Sequence, residues 1–307
     1  MPTRRLATLD VGSNTVLLLV ADVAEDGTIT PVLDHAEITR LGEKAFEDHE
    51  LKQEPMARTI GVLSDLKQRV EALDARLVDA VATSAVREAT NSNSFLLMAK
   101  AVGVPLRVLP GDDEATLSFL SVAMEPPVVK SDELVVIDIG GGSTEIVTGT
   151  LEGLAARASI PLGAVRLTES LVQRHPVSRE VLGEMRGAAR LQLKNAPRPT
   201  GDFAFVGVAG TVTTLAAIHH EIPIFDVQRT HNLSLAMSDV ESLLDRLARL
   251  SLDDRRALTG LDPKRADVIV AGTAILLEAM AHTGADTCWV SDRGVRWGLL
   301  RRAIANA

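Results

Sequence analysis

The stretch LVVIDIGGGSTEIVTGT, residues 134–150, decides the predicted fold. It begins with an uninterrupted apolar run that is rich in β-branched residues and short enough for a buried strand. The chain then passes through Asp138 into three glycines and continues into a second apolar run. This order predicts a β-hairpin with a glycine-rich turn. A P-loop or a dinucleotide-binding fingerprint would instead open a helix after its glycines, so neither motif is present here.

The glycine-rich turn has the composition of an anion-binding loop. Glycine lacks a Cβ, so a ligand can touch the backbone and successive N–H groups can converge on phosphate oxygens. Two hydroxyl donors follow directly. The candidate phosphate-binding residues of this turn are Gly140, Gly141, Gly142, Ser143 and Thr144. Taken alone, the stretch fits equally well a plain tight turn whose glycines only supply positive φ.

The same pattern occurs a second time near the start of the chain. Residues 6–23, LATLDVGSNTVLLLVADV, lead from an apolar run through Asp10 into a turn of Gly12, Ser13 and Asn14, and then into another apolar run. The two aspartates are 128 positions apart, a spacing too long for a solenoid repeat and suited to two domains of one fold. Two such hairpins facing one cleft would supply carboxylates and N–H donors to a metal-bound phosphate chain, and this favours the anion-binding interpretation.

The composition limits the classes of function. A chain of 307 residues predicts roughly two domains with ample core. The net charge of −9 argues against duplex nucleic acid as a partner, and an aromatic content of 3% argues against stacking on single strands. The single cysteine, Cys288, allows no disulfide within the chain. The apolar windows are too short to span a bilayer, so we expect a cytoplasmic protein with no membrane partner.

Two further positions could take part in chemistry. Arg87 follows a predicted strand, 78–83, where its guanidinium could fork onto phosphate oxygens, although an arginine more often pairs with a nearby acid. Glu114 falls in the first turn of a predicted helix with Asp112 as its N-cap. Because the helix dipole favours acids there, the pattern alone favours capping over a general base.

The chain resembles the exopolyphosphatase and guanosine pentaphosphate phosphohydrolase family, within the superfamily of actin, sugar kinases and heat-shock chaperones. The stretches that carry the resemblance are DVGSNT from Asp10, TSAVREATN from Thr83, LPGDDEA from Leu109, VIDIGGGSTE from Val136, PLGAVRLTE from Pro161, GVAGTVTTLA from Gly207, PKRADVIVAGTAILLEAM from Pro263 and VSDRGVRWGLL from Val290. The resemblance implies an α/β protein of two ribonuclease H-like domains, with mixed sheets flanked by helices and a cleft between them. The Pro-containing stretch 125–133 predicts the domain boundary and gives domains 1–125 and 126–307. We expect the last helix to pack back on the first domain.

The resemblance also implies a function, namely Mg²⁺-dependent hydrolysis of the terminal phosphate of inorganic polyphosphate to release orthophosphate. Guanosine pentaphosphate (pppGpp) is the alternative substrate, and a homodimer is left open. On this basis Glu114 is the general base, and Arg87 binds phosphate together with the two turns. Mg²⁺ would be bound by Asp138 and Glu145, with Asp10 as a helper.

Two other classes stay open on the sequence. One is a phosphotransferase such as a sugar kinase of the same superfamily, and the other is a non-catalytic regulator that binds polyphosphate or nucleotide. Trp297 stands where the resemblance would place an acidic residue, and the sequence assigns it no role.

Overall fold

The computed structural model describes residues 3–123, 131–223 and 227–306. They form two compact units, Met1–Leu117 together with Val295–Ala307, and Ser118–Gly294. The predicted division at 125/126 differs, because the first unit ends inside a helix, Gly111–Ala123. The later residues of that helix contact strands of the second unit, which moves the boundary. The prolines that suggested the boundary lie outside the described residues.

The first unit is built on a five-stranded mixed sheet of order β3-β2-β1-β4-β5. Its strands are β1 (Arg4–Val11), β2 (Thr15–Val23), β3 (Ile29–Ile38), β4 (Arg76–Ala82) and β5 (Arg107–Val108). β1, β2 and β3 are antiparallel neighbours, whereas β4 runs parallel to β1 and β5 parallel to β4. The apolar runs of the first hairpin are therefore the central strands of this sheet.

Helices accompany this sheet because each has one apolar face to bury. They are α1 (Gln53–Ala72), α2 (Ser84–Glu88), α3 (Ser92–Ala101), the start of α4 (Gly111–Ala123) and, from the end of the chain, α12 (Val295–Ala305). α1 buries Met56, Leu63 and Val70, which recur at helical spacing, in the main core of the unit. α12 buries Trp297 and Leu300 in a second cluster with residues of β1 and β2.

The second unit has a six-stranded mixed sheet of order β10-β11-β9-β6-β7-β8. Its strands are β6 (Glu133–Ile139), β7 (Thr144–Thr150), β8 (Gly153–Ile160), β9 (Phe203–Val208), β10 (Ser234–Ala236) and β11 (Thr287–Val290). β6, β7 and β8 form an antiparallel meander, and β9 runs parallel to β6. The predicted hairpin of residues 134–150 is β6 and β7.

The second unit also carries most of the helical residues. Its helices are α5 (Ala164–Leu171), α6 (Arg179–Leu193), α7 (Ala209–His219), α8 (Val227–Thr230), α9 (Met237–Arg249), α10 (Leu252–Arg256) and α11 (Ile269–Thr283), with a short 3-10 helix at Pro263–Arg265. α11 is buried along almost its whole length and ends at Gly284, whose φ of 79° suits a glycine. Two mixed-sheet α/β units with accompanying helices confirm the predicted fold class. Among the described residues, none of the helices combines the length and the hydrophobicity that a bilayer-spanning segment requires.

The two hairpins repeat one another in detail, each within its own unit. Asp10 stands opposite Leu17 in the β1–β2 register, and Asp138 stands opposite Glu145 in the β6–β7 register. In both turns the glycine two positions after the aspartate donates its N–H at 3.0 Å to the carbonyl three residues later. The internal repeat predicted from the sequence is therefore a repeat of register and of turn geometry.

Candidate functional site

The glycine-rich turn of the second unit directs its carbonyl groups to one side. The carbonyls of Gly140, Gly141 and Gly142 accept hydrogen bonds from the first turn of α5, three from backbone N–H groups at 2.9–3.1 Å and one from Arg166 Nε at 2.8 Å. Across a trans peptide the C=O and the following N–H point in opposite directions. The N–H groups of Gly141, Gly142 and Ser143 therefore point away from α5. Successive N–H groups on one side form a concavity that suits an anion.

Gly163, directly before α5, makes this arrangement possible. A Cβ at position 163 would lie 2.3 Å from Gly141 O and 2.4 Å from Gly142 N, closer than any side chain can approach. Gly12 and Gly140 are not in the left-handed region, and a Cβ on either would meet a carbonyl of its own turn at 3.0–3.1 Å. Close approach therefore explains these glycines, and the plain-turn interpretation based on positive φ does not apply to them.

Some predicted phosphate-binding groups already have partners within the turns. The N–H groups of Gly12 and Gly140 donate to carbonyls of their own turns. The hydroxyl of Thr144, which is fully buried, donates to Leu162 O. A hydroxyl has one proton to donate, so Thr144 cannot offer the same proton to a phosphate. These three groups belong to the frame that shapes the turns, and the binding of phosphate by Gly12, Gly140 and Thr144 stays a prediction.

The turn of the first unit also directs its carbonyl groups to one side. The carbonyls of Ser13 and Asn14 accept N–H groups from the loop 39–42 at 2.7–3.0 Å, so the N–H groups of Asn14 and Thr15 point the other way. Ser13 Oγ accepts the N–H of Ala85 at 3.1 Å. The Asn14 side chain is 7% exposed, and its Oδ1 is buried without a hydrogen-bond partner among the described residues. Such an atom suits a ligand that brings a hydrogen or a positive charge.

Glu114 and Arg87 form an ion pair inside the first unit. Arg87 Nη1 donates to Glu114 Oε2 at 2.8 Å and to Leu109 O at 2.8 Å. Arg87 thus pairs with an acid, which is the commoner interaction of an arginine. The acid is Glu114, the candidate general base. The guanidinium fixes the orientation of the carboxylate and stabilises its charge.

The three acids in the first turn of α4 differ in their surroundings. Asp112 and Asp113 are exposed, whereas Glu114 is 8% exposed. The helix begins at Gly111, so Asp112 lies inside it and is not the predicted N-cap. The prediction for Glu114 as a first-turn residue is confirmed. Burial beside an arginine distinguishes it from its two neighbours.

Asp138 and Glu145 are a pair of acids on one face of the β6–β7 hairpin. They stand directly opposite in the antiparallel register, which places both side chains on the same side of the sheet. They are 8% and 1% exposed. Like charges in opposite positions repel each other, and this repulsion is costly where water is scarce. A cation bound to the two carboxylates would offset it.

This donor set fits a hard divalent cation. Mg²⁺ prefers carboxylate oxygens and takes one or two of them together with waters and substrate phosphates. In the described ranges of the chain, no group of three or more His, Cys, Asp or Glu side chains could hold a metal by itself. Asp10, in the first unit, is 7% exposed and stands opposite Leu17 in its hairpin, whereas Asp138 stands opposite Glu145.

Trp297 has a structural role that the sequence did not reveal. Its indole is buried, and Nε1 donates to Asp34 Oδ2 at 3.2 Å. Arg296 donates to the same carboxylate at 2.8 and 2.9 Å. An acidic residue at 297 would be placed in an apolar cluster beside Asp34, so the tryptophan fits this position.

Sequence reasoning missed Gly163 and Arg166 as parts of the site. Both lie in the quoted stretch PLGAVRLTE, but their role depends on contacts with a turn more than twenty positions earlier. The available signal was a glycine directly before an amphipathic helix with a basic residue in its first turn.

Comparisons with known proteins identify relatives of the chain over nearly its whole length. A family model described as the Ppx/GppA phosphatase family matches residues 19–307. Exopolyphosphatase 2 of Mycobacterium tuberculosis is 33% identical, over 97% of this chain and 98% of that protein. The crystal structure of the Aquifex aeolicus Ppx/GppA family member has 31% identity and a TM-score of 0.82, covering 99% of each chain. The bifunctional 3-dehydroquinate synthase/phosphatase of Fusobacterium nucleatum is 29% identical over 98% of the chain, which spans about half (46%) of that protein.

Proposed function

Because the chain belongs to the Ppx/GppA phosphatase family, we propose that it hydrolyses the terminal phosphoanhydride of inorganic polyphosphate and releases orthophosphate. The relative that supports this substrate is the exopolyphosphatase of M. tuberculosis, which matches over nearly its whole length. The structural observation that carries the proposal is the buried carboxylate of Glu114, held by Arg87 at 2.8 Å. A carboxylate fixed in position can orient and deprotonate a water molecule, and the proposal gives this role to Glu114.

Phosphoryl transfer to water requires little covalent chemistry from the protein. In the proposal the water oxygen bonds to the terminal phosphorus while the bridging P–O bond breaks, and its electron pair stays on the bridging oxygen of the shortened polyphosphate. Glu114 takes one of the two protons of the water, and the terminal group leaves as orthophosphate. Negative charge on the transferred group is stabilised by the N–H groups of Gly141, Gly142 and Ser143. A well-placed donor of this kind contributes about 3 kcal/mol to the transition state. Arg87 acts by orienting Glu114.

The proposal includes Mg²⁺, bound by Asp138 and Glu145 with Asp10 as a helper. Support comes from the buried, directly opposed carboxylates, whose chemistry fits the ion. When bound, the ion neutralises charge on phosphate oxygens. The protein's own contribution is to hold the two carboxylates side by side. Ser13 and Asn14 complete the set of phosphate-binding residues in the proposal.

The test is a phosphate-release assay on the purified chain with polyphosphate, pppGpp and ATP, each with Mg²⁺ and with a chelator. We expect rapid release from polyphosphate with Mg²⁺ and loss of release with the chelator. Faster release from pppGpp would reassign the substrate to the alternative. No release from any phosphoanhydride would contradict the proposal in favour of a binding protein. Sugar-dependent formation of ADP would identify a phosphotransferase.

A further inference from the structure

Two serine hydroxyls bind the paired acids of the second unit. Ser118 Oγ donates to Asp138 Oδ2 at 2.6 Å, and Ser159 Oγ donates to Glu145 Oε1 at 2.6 Å. These distances are typical of strong hydrogen bonds between a hydroxyl and an ionised carboxylate. Each carboxylate thus receives one hydroxyl from an element outside the β6–β7 hairpin.

The serine on β8 is placed by the register of the sheet. Ser159 stands directly opposite Glu145 in the β7–β8 ladder, as Asp138 does in the β6–β7 ladder. The three side chains therefore lie in one row across three strands, on the same face. A hydroxyl in this row can reach the glutamate without any movement of the backbone.

The serine on α4 is itself held in place. Ser118 is fully buried, and its carbonyl accepts the hydroxyl of Ser121 at 2.7 Å. Ser121 Oγ also lies 2.7 Å from Arg293 O. A Cβ on Gly294 would be 3.8 Å from Asp138 Oδ2. Helix α4 and the loop before α12 therefore both adjoin the carboxylate of Asp138.

We propose that Ser118 and Ser159 are positioning residues for the divalent cation. A carboxylate that gives one oxygen to a fixed hydroxyl cannot rotate freely, so the hydroxyls set the orientation in which Asp138 and Glu145 meet the ion. Loss of a hydrogen bond that holds a metal ligand in place typically lowers metal affinity 10- to 100-fold. The inference rests on the proposed function, since it takes the two acids as cation ligands.

The experiment measures Mn²⁺ binding to the whole chain by electron paramagnetic resonance, without substrate. We expect Ser118→Ala and Ser159→Ala each to raise the Mn²⁺ dissociation constant about 10-fold or more. Ser118→Thr, which keeps a hydroxyl, should restore affinity to within a few-fold of wild type. The matched control is Thr116→Ala, because Thr116 is half-buried on the same helix and its hydroxyl donates to Asp112 O at 2.7 Å. It should bind Mn²⁺ as wild type does.

The results separate the inference from the proposed function. If wild type binds Mn²⁺ and releases phosphate while both alanine variants keep the wild-type dissociation constant, the positioning role is overturned and the hydrolase stands. If the variants only melt at lower temperature with unchanged affinity, the serines serve folding and the inference again fails. If wild type neither binds Mn²⁺ nor releases phosphate, the proposed function fails, and the inference with it. Should Ser118→Ala not fold, the half-buried Ser159 carries the test alone.

Discussion

The ion pair of Glu114 and Arg87 places two opposite charges where little water reaches. The Glu114 side chain is 10% exposed and that of Arg87 is 23% exposed. Each charge stabilises the other. A partly buried charge whose partner is removed has lost part of its hydration and no longer has the ion pair that offset this loss. Substitutions at the two positions are therefore expected to be non-additive.

The role of Glu114 is testable by exchanging one heavy atom of its side chain. Glu114→Gln keeps the shape and an oxygen that accepts from Arg87, but the amide cannot take a proton from water. Phosphate release should slow by about 10²- to 10⁴-fold, with polyphosphate affinity close to wild type. The measurement is steady-state turnover together with equilibrium binding of polyphosphate.

The neighbouring acids provide the control for this variant. Asp112→Asn and Asp113→Asn remove exposed carboxylates from the same helical turn and should leave turnover nearly unchanged. Near-normal turnover in Glu114→Gln would remove that residue from the mechanism. If Asp112→Asn or Asp113→Asn turned over slowly while Glu114→Gln kept wild-type turnover, the affected aspartate would be assigned as the general base.

At the scale of elements, α5 and the glycine turn are one packed assembly. The helix gives its first N–H groups to the carbonyls of the turn, and Gly163 lets the two backbones touch. Because the helix fixes the carbonyls, it also fixes the direction of the opposite N–H groups. The shape of the anion-binding turn therefore depends on a residue that no phosphate needs to contact.

This dependence predicts the effect of Gly163→Ala. The new Cβ would meet Gly141 O and push α5 away from the turn, so the free energy of unfolding should fall by about 1–3 kcal/mol and phosphate affinity should fall as well. Urea denaturation and phosphate binding measure the two effects. Gly183→Ala is the control, since nothing lies within 4 Å of a Cβ there and alanine in α6 should add up to about 1 kcal/mol of stability. A Gly163→Ala protein as stable as wild type would contradict the packing argument.

The attachment of α12 depends on Asp34. Its carboxylate accepts two hydrogen bonds from Arg296, which is 5% exposed, and one from Trp297. Asp34→Asn removes the carboxylate charge that pairs with the buried arginine, so the free energy of unfolding should fall by about 3 kcal/mol. Thermal unfolding and a red shift of tryptophan emission are the measurements.

The first sheet offers a matched control for Asp34→Asn. Asp22 also binds an arginine by two bonds, Arg5 at 2.7 and 2.9 Å, but this pair is much more exposed. Asp22→Asn should lower the free energy of unfolding by less than about 1 kcal/mol. Equal losses in the two variants would show that burial of Arg296 is not what makes the Asp34 contacts important.

At the scale of the whole molecule, acid should destabilise the protein through Glu278 of α11. Burial of Glu278 opposes its ionisation, but hydrogen bonds from Arg190 and Arg186 outweigh burial and lower the pKa of the carboxyl below its usual value of 4.5. A lowered pKa in the folded state gives stability that is present above the unfolded pKa and is lost as pH falls through the folded pKa.

The expected free energy of unfolding therefore declines steeply below about pH 4.5. Glu278→Gln should be less stable than wild type at pH 7 and should show a shallower decline in acid, as measured by urea denaturation across the pH range. The exposed Glu54 gives the control, because Glu54→Gln should follow the wild-type curve. Parallel curves for wild type and Glu278→Gln would exclude this linkage.

The hairpins were predictable from the sequence, because alternation of apolar runs, an aspartate and glycines is a local signal. The position of Glu114 in a first turn was predictable for the same reason. The direction of the Thr144 hydroxyl and the contact of Ser118 with Asp138 were not, since they depend on how α4 and α5 pack against strands distant in sequence. The placement of α12 in the first unit has no local signal in the sequence, because no local pattern joins residues 295–307 to residues near the start. The cation, the compartment and a homodimer stay predictions.

The construction of the first unit from both ends of the chain has a consequence for biosynthesis. A nascent polypeptide leaves the ribosome from its N-terminus, and domains generally fold as units when their residues have emerged. Ser118–Gly294 is continuous and can fold once its own residues have emerged. The unit that begins first completes its second apolar cluster only with Trp297 and Leu300, so the apolar side chains of β1 and β2 in that cluster stay uncovered until α12 has been synthesised.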